Sequence, residues 1–89
     1  MKKPPNEILL KALAAEIKSL RTGLGLSQEE LAHRAGLNRT FIGRLEVAQT
    51  QPSLTVLFQL ANALEVDAAE LVANITKRAK KERSAGGKR

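Results

Sequence analysis

The sequence predicts an all-α domain built of five short helices, and three observations lead to this prediction. Leu, Ile and Ala residues recur three and four positions apart along most of the chain, which is the period of an amphipathic helix. The β-branched residues are scattered, so no strand pattern is visible. The chain has two Phe and neither Tyr nor Trp, which leaves few side chains suited to a pleated sheet.

Apolar faces and capping residues delimit the predicted helices. An apolar face from Leu9 to Leu20 marks the first helix. Pro52 and Ser53 open the fourth helix, and Asp67 caps the fifth. The predicted ranges are 6–21, 27–35, 38–46, 52–64 and 67–76.

A sharp corner is predicted between the second and third helices. Ser27 and Glu30 form a capping box at the start of the second helix. Gly36 ends that helix, because glycine adopts the left-handed conformation at little cost. The small Ala32 allows close approach, and the third helix begins at once with Asn38 as its N-cap. These features predict two short helices that cross at a steep angle.

The start of the third helix is predicted to be exposed and to attract anions. The first amides of a helix have no intrahelical partners and carry partial positive charge, which suits phosphate groups. The polar face that follows consists of Arg39, Thr40, Gly43 and Arg44. Ile42 belongs to the opposite, buried side.

Four motifs fall in order along the chain: Gly25-Leu26-Ser27-Gln28-Glu29-Glu30-Leu31-Ala32, Ala35-Gly36-Leu37, Ile42-Gly43-Arg44-Leu45-Glu46 and Pro52-Ser53-Leu54. In this order and at these separations they resemble the Cro/C1-type (XRE) repressors, and the similarity extends from about Leu13 to Leu71. The resemblance implies a lambda-repressor-like DNA-binding domain with a helix-turn-helix at helices 2 and 3. One further segment, Leu37-Asn38-Arg39-Thr40-Phe41-Ile42, is similar to restriction-modification controller proteins, which are small dimeric members of this family.

This resemblance implies base-reading roles on the third helix, residues 38–46. Arg39, Thr40 and Arg44 match positions that face base edges in the major groove. An arginine can pair with guanine O6 and N7 at once, whereas a threonine can touch a thymine methyl group or a phosphate. Gly43 is small where other family members often carry a side chain. It either lets the helix sit deeper in the groove or removes a contact.

Other family positions imply backbone contacts and one structural ion pair. Gln28 matches a position that clamps a phosphate and braces the reading helix. Ser27 and Asn38 match positions near the DNA backbone. Arg21 and Glu46 match a salt bridge between the first helix and the end of the third, which supports the fold rather than contacting DNA.

The positive charge is concentrated at the end of the chain. The predicted basic tail over residues 77–89 carries the whole net charge of +6, because the residues before it contain eight basic and eight acidic side chains. That preceding part is still polarised, since residues 31–45 include Arg34, Arg39 and Arg44 but no acid. We expect a disordered lead-in over residues 1–6 and a helix-turn-helix domain over residues 7–76. The tail is either a helical extension or disordered, and either a solvated charge run or a source of sequence-independent DNA affinity.

A homodimer is expected, because one small domain reads too few base pairs for a genome. The fourth and fifth helices carry more apolar residues than one buried helix face requires. Periodicity alone does not separate dimer contacts from core residues. The first helix, with Ile8 and Leu10, is a second candidate surface. The dimer residues predicted on the fourth and fifth helices are Val56, Phe58, Leu71, Val72 and Ile75.

The composition argues against several other classes of protein. Without Cys and with His33 as the single histidine, no multi-ligand metal site of these residues is expected, and no cofactor is predicted. The start lacks the apolar stretch of a signal peptide and no run is long enough for a bilayer, so we expect a cytoplasmic protein without membrane contact. No nucleophile–base pair or glycine-rich phosphate loop indicates an enzyme, and no second domain suggests a site for a small-molecule effector.

Two functional hypotheses follow. The first is a sequence-specific regulator of transcription that binds double-stranded DNA as a homodimer, at two-fold-related half-sites about one helical turn apart. The alternative is a protein-interaction module of the same fold, such as an antitoxin or a bridging factor. Arg39 and Arg44 favour DNA, because an interaction module has no need of two arginines on that face.

Overall fold

The computed structural model describes the backbone of residues 5–87 and the side chains of residues 6–82. It confirms the all-α prediction, and no strand occurs between residues 5 and 87. No helix in this part of the chain is long and apolar enough to cross a membrane. The five helices are α1 (Pro5–Gly23), α2 (Gln28–Ala35), α3 (Arg39–Glu46), α4 (Leu54–Ala63) and α5 (Ala68–Gly87).

The two outer helices are longer than the sequence predicted. Helix α1 begins at Pro5, inside the expected disordered lead-in, because the fixed φ of proline suits a first helical position. Residues 1–4 of that lead-in lie outside the described residues. Helix α5 continues to Gly87 and so includes residues 77–87 of the predicted tail. Its run of Lys, Arg and Ala residues favours helix, and Ala79 is buried against the core.

The core lies where α1 packs along α5 and against α3, α2 packs on α3, and α4 closes the remaining side against α2 and α5. Each of the large core side chains stabilises the fold by about 1.5–3 kcal/mol through burial. Small alanines on α1, α2 and α4 allow the helices to approach one another closely. The fully buried large side chains are Ile17, Leu31, Ile42, Leu45, Leu60, Leu64 and Leu71.

The prediction of the dimer surface is partly wrong. Leu71 is 0% exposed and Ile75 is 6% exposed, so both belong to the core of one protomer and present no surface to a second. Val56 is half-buried and packs against the same core. Phe58 and Val72 are exposed, at 56% and 45%. Periodicity did not separate these sets, because it identifies an apolar face without showing what covers it.

Candidate nucleic-acid interface

The N-terminus of α2 is held by a reciprocal cap. Ser27 Oγ accepts a hydrogen bond from the Glu30 amide at 3.0 Å, and the Ser27 amide donates to Glu30 Oε1 at 2.8 Å. The hydrogen bond from the Ser27 backbone, followed by the one from its side chain, lowers the pKa of Glu30. Ser27 is therefore occupied with capping, and its contact with the DNA backbone stays a prediction.

The corner between α2 and α3 forms at Gly36, as the sequence predicted. Gly36 has φ 71° and ψ 34°, which is the left-handed conformation. The Leu37 amide then donates to the carbonyl oxygen of Ala32 at 2.8 Å, closing the end of α2. Gln59 on α4 adds a bond that the sequence did not predict, because its Nε2 donates to the Ala35 carbonyl at 3.0 Å.

Helix α3 presents its polar face to solvent. Asn38 caps its first turn, and Asn38 Oδ1 accepts a hydrogen bond from the Thr40 amide at 2.7 Å. Arg39, Thr40 and Arg44 are all exposed. The opposite side is fixed in the core, where Ile42 is 0% exposed. The predicted base-reading side chains therefore share one accessible helix, and their contact with bases stays a prediction.

Three elements meet at the Glu46 carboxylate, at the C-terminal end of α3. Arg21 Nε donates to Oε2 at 2.6 Å and Arg21 Nη2 donates to Oε1 at 2.9 Å. Gln28 Nε2 donates to Oε1 at 3.1 Å, which links the first residue of α2 to the same group. Arg21 Nη1 also donates to the Leu26 carbonyl at 2.7 Å. The hydrogen bond with Glu46 raises the pKa of Arg21, so the ion pair implied by the resemblance is present and charged.

Gly43 lies under the Gln28 side chain. A Cβ added at Gly43 would be 3.6 Å from Gln28 Oε1, an ordinary van der Waals distance. Gln28 thus lies between the start of α2 and the outer surface of α3 while its amide braces Glu46. This position agrees with the bracing role expected of Gln28, whereas its phosphate contact stays a prediction.

Arg34 is not part of this polar face. Its Nη1 donates to Glu65 Oε2 at 3.1 Å and to the Ala63 carbonyl at 3.2 Å. Both partners lie at or just after the end of α4, so this guanidinium stabilises the junction of α2 with α4. The arginines between residues 31 and 45 therefore lie in two places: Arg34 is at the junction of α2 with α4, whereas Arg39 and Arg44 are on the exposed surface of α3.

A buried acid on α1 was missed by the sequence analysis. Glu16 is 6% exposed, because it stands three residues after the core residue Leu13 and so lies on the same face of α1. Its two oxygens accept hydrogen bonds from Arg78 Nε at 2.6 Å and Asn74 Nδ2 at 3.1 Å. The detectable signal was an acid within the apolar face of a helix, which requires a partner when it is buried.

Solved structures and known proteins resemble this chain over most of its length. The control protein C.SmaI of Serratia marcescens is 40% identical over 60 residues, or 67% of this chain and 71% of that protein. The crystal structure of the restriction-modification controller protein C.AhdI from Aeromonas hydrophila is 40% identical, with a TM-score of 0.67. The match covers 70% of this chain and 94% of the C.AhdI chain.

A further structure shows a relative on DNA. It is the C.Esp1396I controller protein as a tetramer in complex with its natural 35 base-pair operator, 28% identical to this chain with a TM-score of 0.73. The match covers 80% of this chain and 93% of that one. A family profile described as helix-turn-helix also matches residues 17–71. Because this match spans more than half of the sequence and contains the corner at Gly36, the chain belongs to the Cro/C1-type helix-turn-helix family.

Proposed function

We propose that this protein is a sequence-specific regulator of transcription that binds double-stranded DNA by placing α3 in the major groove. The observation that carries this proposal is the exposure of Arg39, Thr40 and Arg44 on a helix whose other face is fixed in the core. A rigid helix positions the two guanidinium groups for paired hydrogen bonds to guanine. The named relatives, which include control proteins and one structure on operator DNA, support the same function.

Two capped helix ends supply the phosphate contacts in this proposal. The N-termini of α2 and α3 begin at Ser27 and Asn38, and both carry partial positive charge. Contacts of this kind fix the register of a protein on DNA but carry no sequence information. The bonds that join Gln28 to Glu46 and Arg21 to Glu46 hold α1, α2 and α3 as one unit. Phosphate contacts made by α2 therefore set the orientation of α3 in the groove.

The protein acts as a homodimer in this proposal, with Leu54 and Phe58 of α4 at the interface. These side chains are 72% and 56% exposed, and they stand one helical turn apart on the same face. Two large apolar side chains next to each other form an exposed apolar patch, which a second protomer would cover in this proposal. Phe58 was among the predicted dimer residues, whereas Leu54 was not. A two-fold axis would then present two α3 helices to two half-sites.

The decisive experiment is selection of bound duplexes from a random pool by the purified full-length protein. The expected result is an enriched sequence with two-fold symmetry and half-sites about one helical turn apart, near 10 base pairs. A pool that stays unenriched, although the protein is folded by circular dichroism, would exclude sequence-specific binding and favour the protein-interaction alternative.

A further inference from the structure

The basic end of α5 is attached to α1 through Glu16. Both oxygens of this carboxylate accept hydrogen bonds from α5, one from Asn74 and one from Arg78. The Glu16 side chain is only 8% exposed, and that of Arg78 is 39% exposed. Because a buried carboxylate without these partners is costly, the pairing holds the segment around Arg78 against α1. This part of α5 is thus positioned by the domain and is not a free tail.

Three lysines surround this attachment and form a basic groove with α1. Lys77, Lys80 and Lys81 line the groove together with Ser19, and all three lysines are exposed. The sequence contains no acid from residue 71 to residue 81, and the charge of Glu16 is matched by Arg78. The surface formed by Ser19, Lys77, Lys80 and Lys81 therefore carries net positive charge. We call this surface the lysine groove.

The lysine groove lies toward the end of α1 that leads to the proposed DNA-binding surface. Ser19 lines the groove, and Arg21, which pairs with Glu46 of α3, follows two residues later. This separation is about 3 Å along the helix axis. The chain then passes through a short loop into the capped start of α2 at Ser27. The groove and the start of α2 are therefore both reached from the C-terminal end of α1, although Ser19 and Arg21, two residues apart on the helix, point to different sides of it.

We propose that the lysine groove binds backbone phosphates of the DNA beside the bases that α3 reads. The inference rests on the proposed function and adds a second, sequence-independent contact surface to it. Lysine suits this role, because its ammonium group acts as a mobile point charge for phosphate and lacks the fixed fork with which arginine reads guanine. An acidic protein partner could bind the same charge, but DNA is favoured because the groove lies at the end of α1 from which the chain enters the capped start of α2.

The test compares two double variants that remove the same charge. Lys77→Gln/Lys81→Gln changes the groove, whereas the matched control Lys11→Gln/Lys18→Gln changes two exposed lysines of α1 that do not line it. Affinity for the selected duplex is measured at several salt concentrations. The slope of log affinity against log salt is negative, and each lost phosphate contact makes it shallower by about 0.9. The groove variant is expected to bind every DNA sequence more weakly and to show a weaker dependence of affinity on salt. The control is expected to match the wild type in both measurements.

The outcomes separate this inference from the proposed function. If the wild type selects a sequence and the groove variant has the same salt dependence as the control, the groove does not bind DNA and the inference is overturned. If the wild type selects no sequence, the proposed function fails first. Circular dichroism of both variants checks that the folded structure is retained.

Discussion

Arg21 and Glu46 join the end of α1 to the end of α3 through two hydrogen bonds, of 2.6 and 2.9 Å. The side chains are 11% and 2% exposed, so water screens the pair only weakly. Gln28 donates to the same carboxylate. Removing the acid would leave a buried guanidinium and an amide without their acceptor, and this cost exceeds the net worth of the intact pair.

Replacement of Glu46 by Gln is expected to destabilise the fold by about 3 kcal/mol. The reason is the uncompensated charge of Arg21, which the neutral amide does not balance. Urea unfolding followed by circular dichroism measures the loss. The control is Glu65→Gln, which breaks the exposed pair with Arg34 (42% and 61% exposed) and should cost less than about 1 kcal/mol. Equal losses in both variants would show that burial of the Arg21 pair has no special effect.

Arg39→Ala is expected to relax base preference at one position of each half-site. Loss of a bidentate arginine–guanine contact costs about 1–3 kcal/mol of discrimination. Arg39 is exposed, so the folded structure should persist. Competition binding with duplexes altered one base pair at a time measures the effect, and Lys11→Ala serves as the control. If base preference were unchanged at every position, Arg39 would not be one of the side chains that contact bases.

Gly36→Ala and Gly23→Ala are expected to change stability in opposite directions. Gly36 has φ +71°, and a Cβ there would meet only Gln59 Nε2 at 3.7 Å. The cost is therefore one of backbone conformation, about 1–2 kcal/mol. Gly23 is helical and has open space around it, so alanine there should stabilise by up to about 1 kcal/mol. Thermal unfolding of both variants is the measurement, and a stabilised Gly36→Ala protein would contradict the left-handed corner.

The sequence predicted local features well and remote partners poorly. The capping box at Ser27 and the corner at Gly36 depend on neighbouring residues, so their chemistry is visible in a short stretch of sequence. The packing of α5 against α1 includes the hydrogen bond from Arg78 to Glu16, which is 62 residues away in the chain. The burial of Leu71 depends likewise on how α1 and α5 pack. No periodicity within one helix contains that information.

The capping box should make stability depend on pH at the acidic end. The pKa of Glu30 in the folded protein lies below its usual value of 4.5, because Ser27 donates to the ionised carboxylate. A lowered folded pKa means that the stabilisation is complete above about pH 4.5 and is lost as pH falls through the folded pKa. The free energy of unfolding of the wild type should therefore fall more between pH 6 and pH 3 than that of Glu30→Gln. Glu29→Gln, outside the capping box, is the control and should follow the wild type.

The dimer surface is tested by placing a charge on the exposed strip of α4. Phe58→Asp should weaken dimerisation at least about 100-fold, because a two-fold interface loses the burial of two phenylalanines, each worth about 1.5–3 kcal/mol. Sedimentation equilibrium at micromolar concentration measures this change. Val72→Asp, an equally charged variant at an exposed position of α5, tests the other surviving candidate. Since Phe58 is 56% exposed within one protomer, the monomer should stay folded. If Val72→Asp alone dissociates the dimer, the interface lies on α5 rather than on α4.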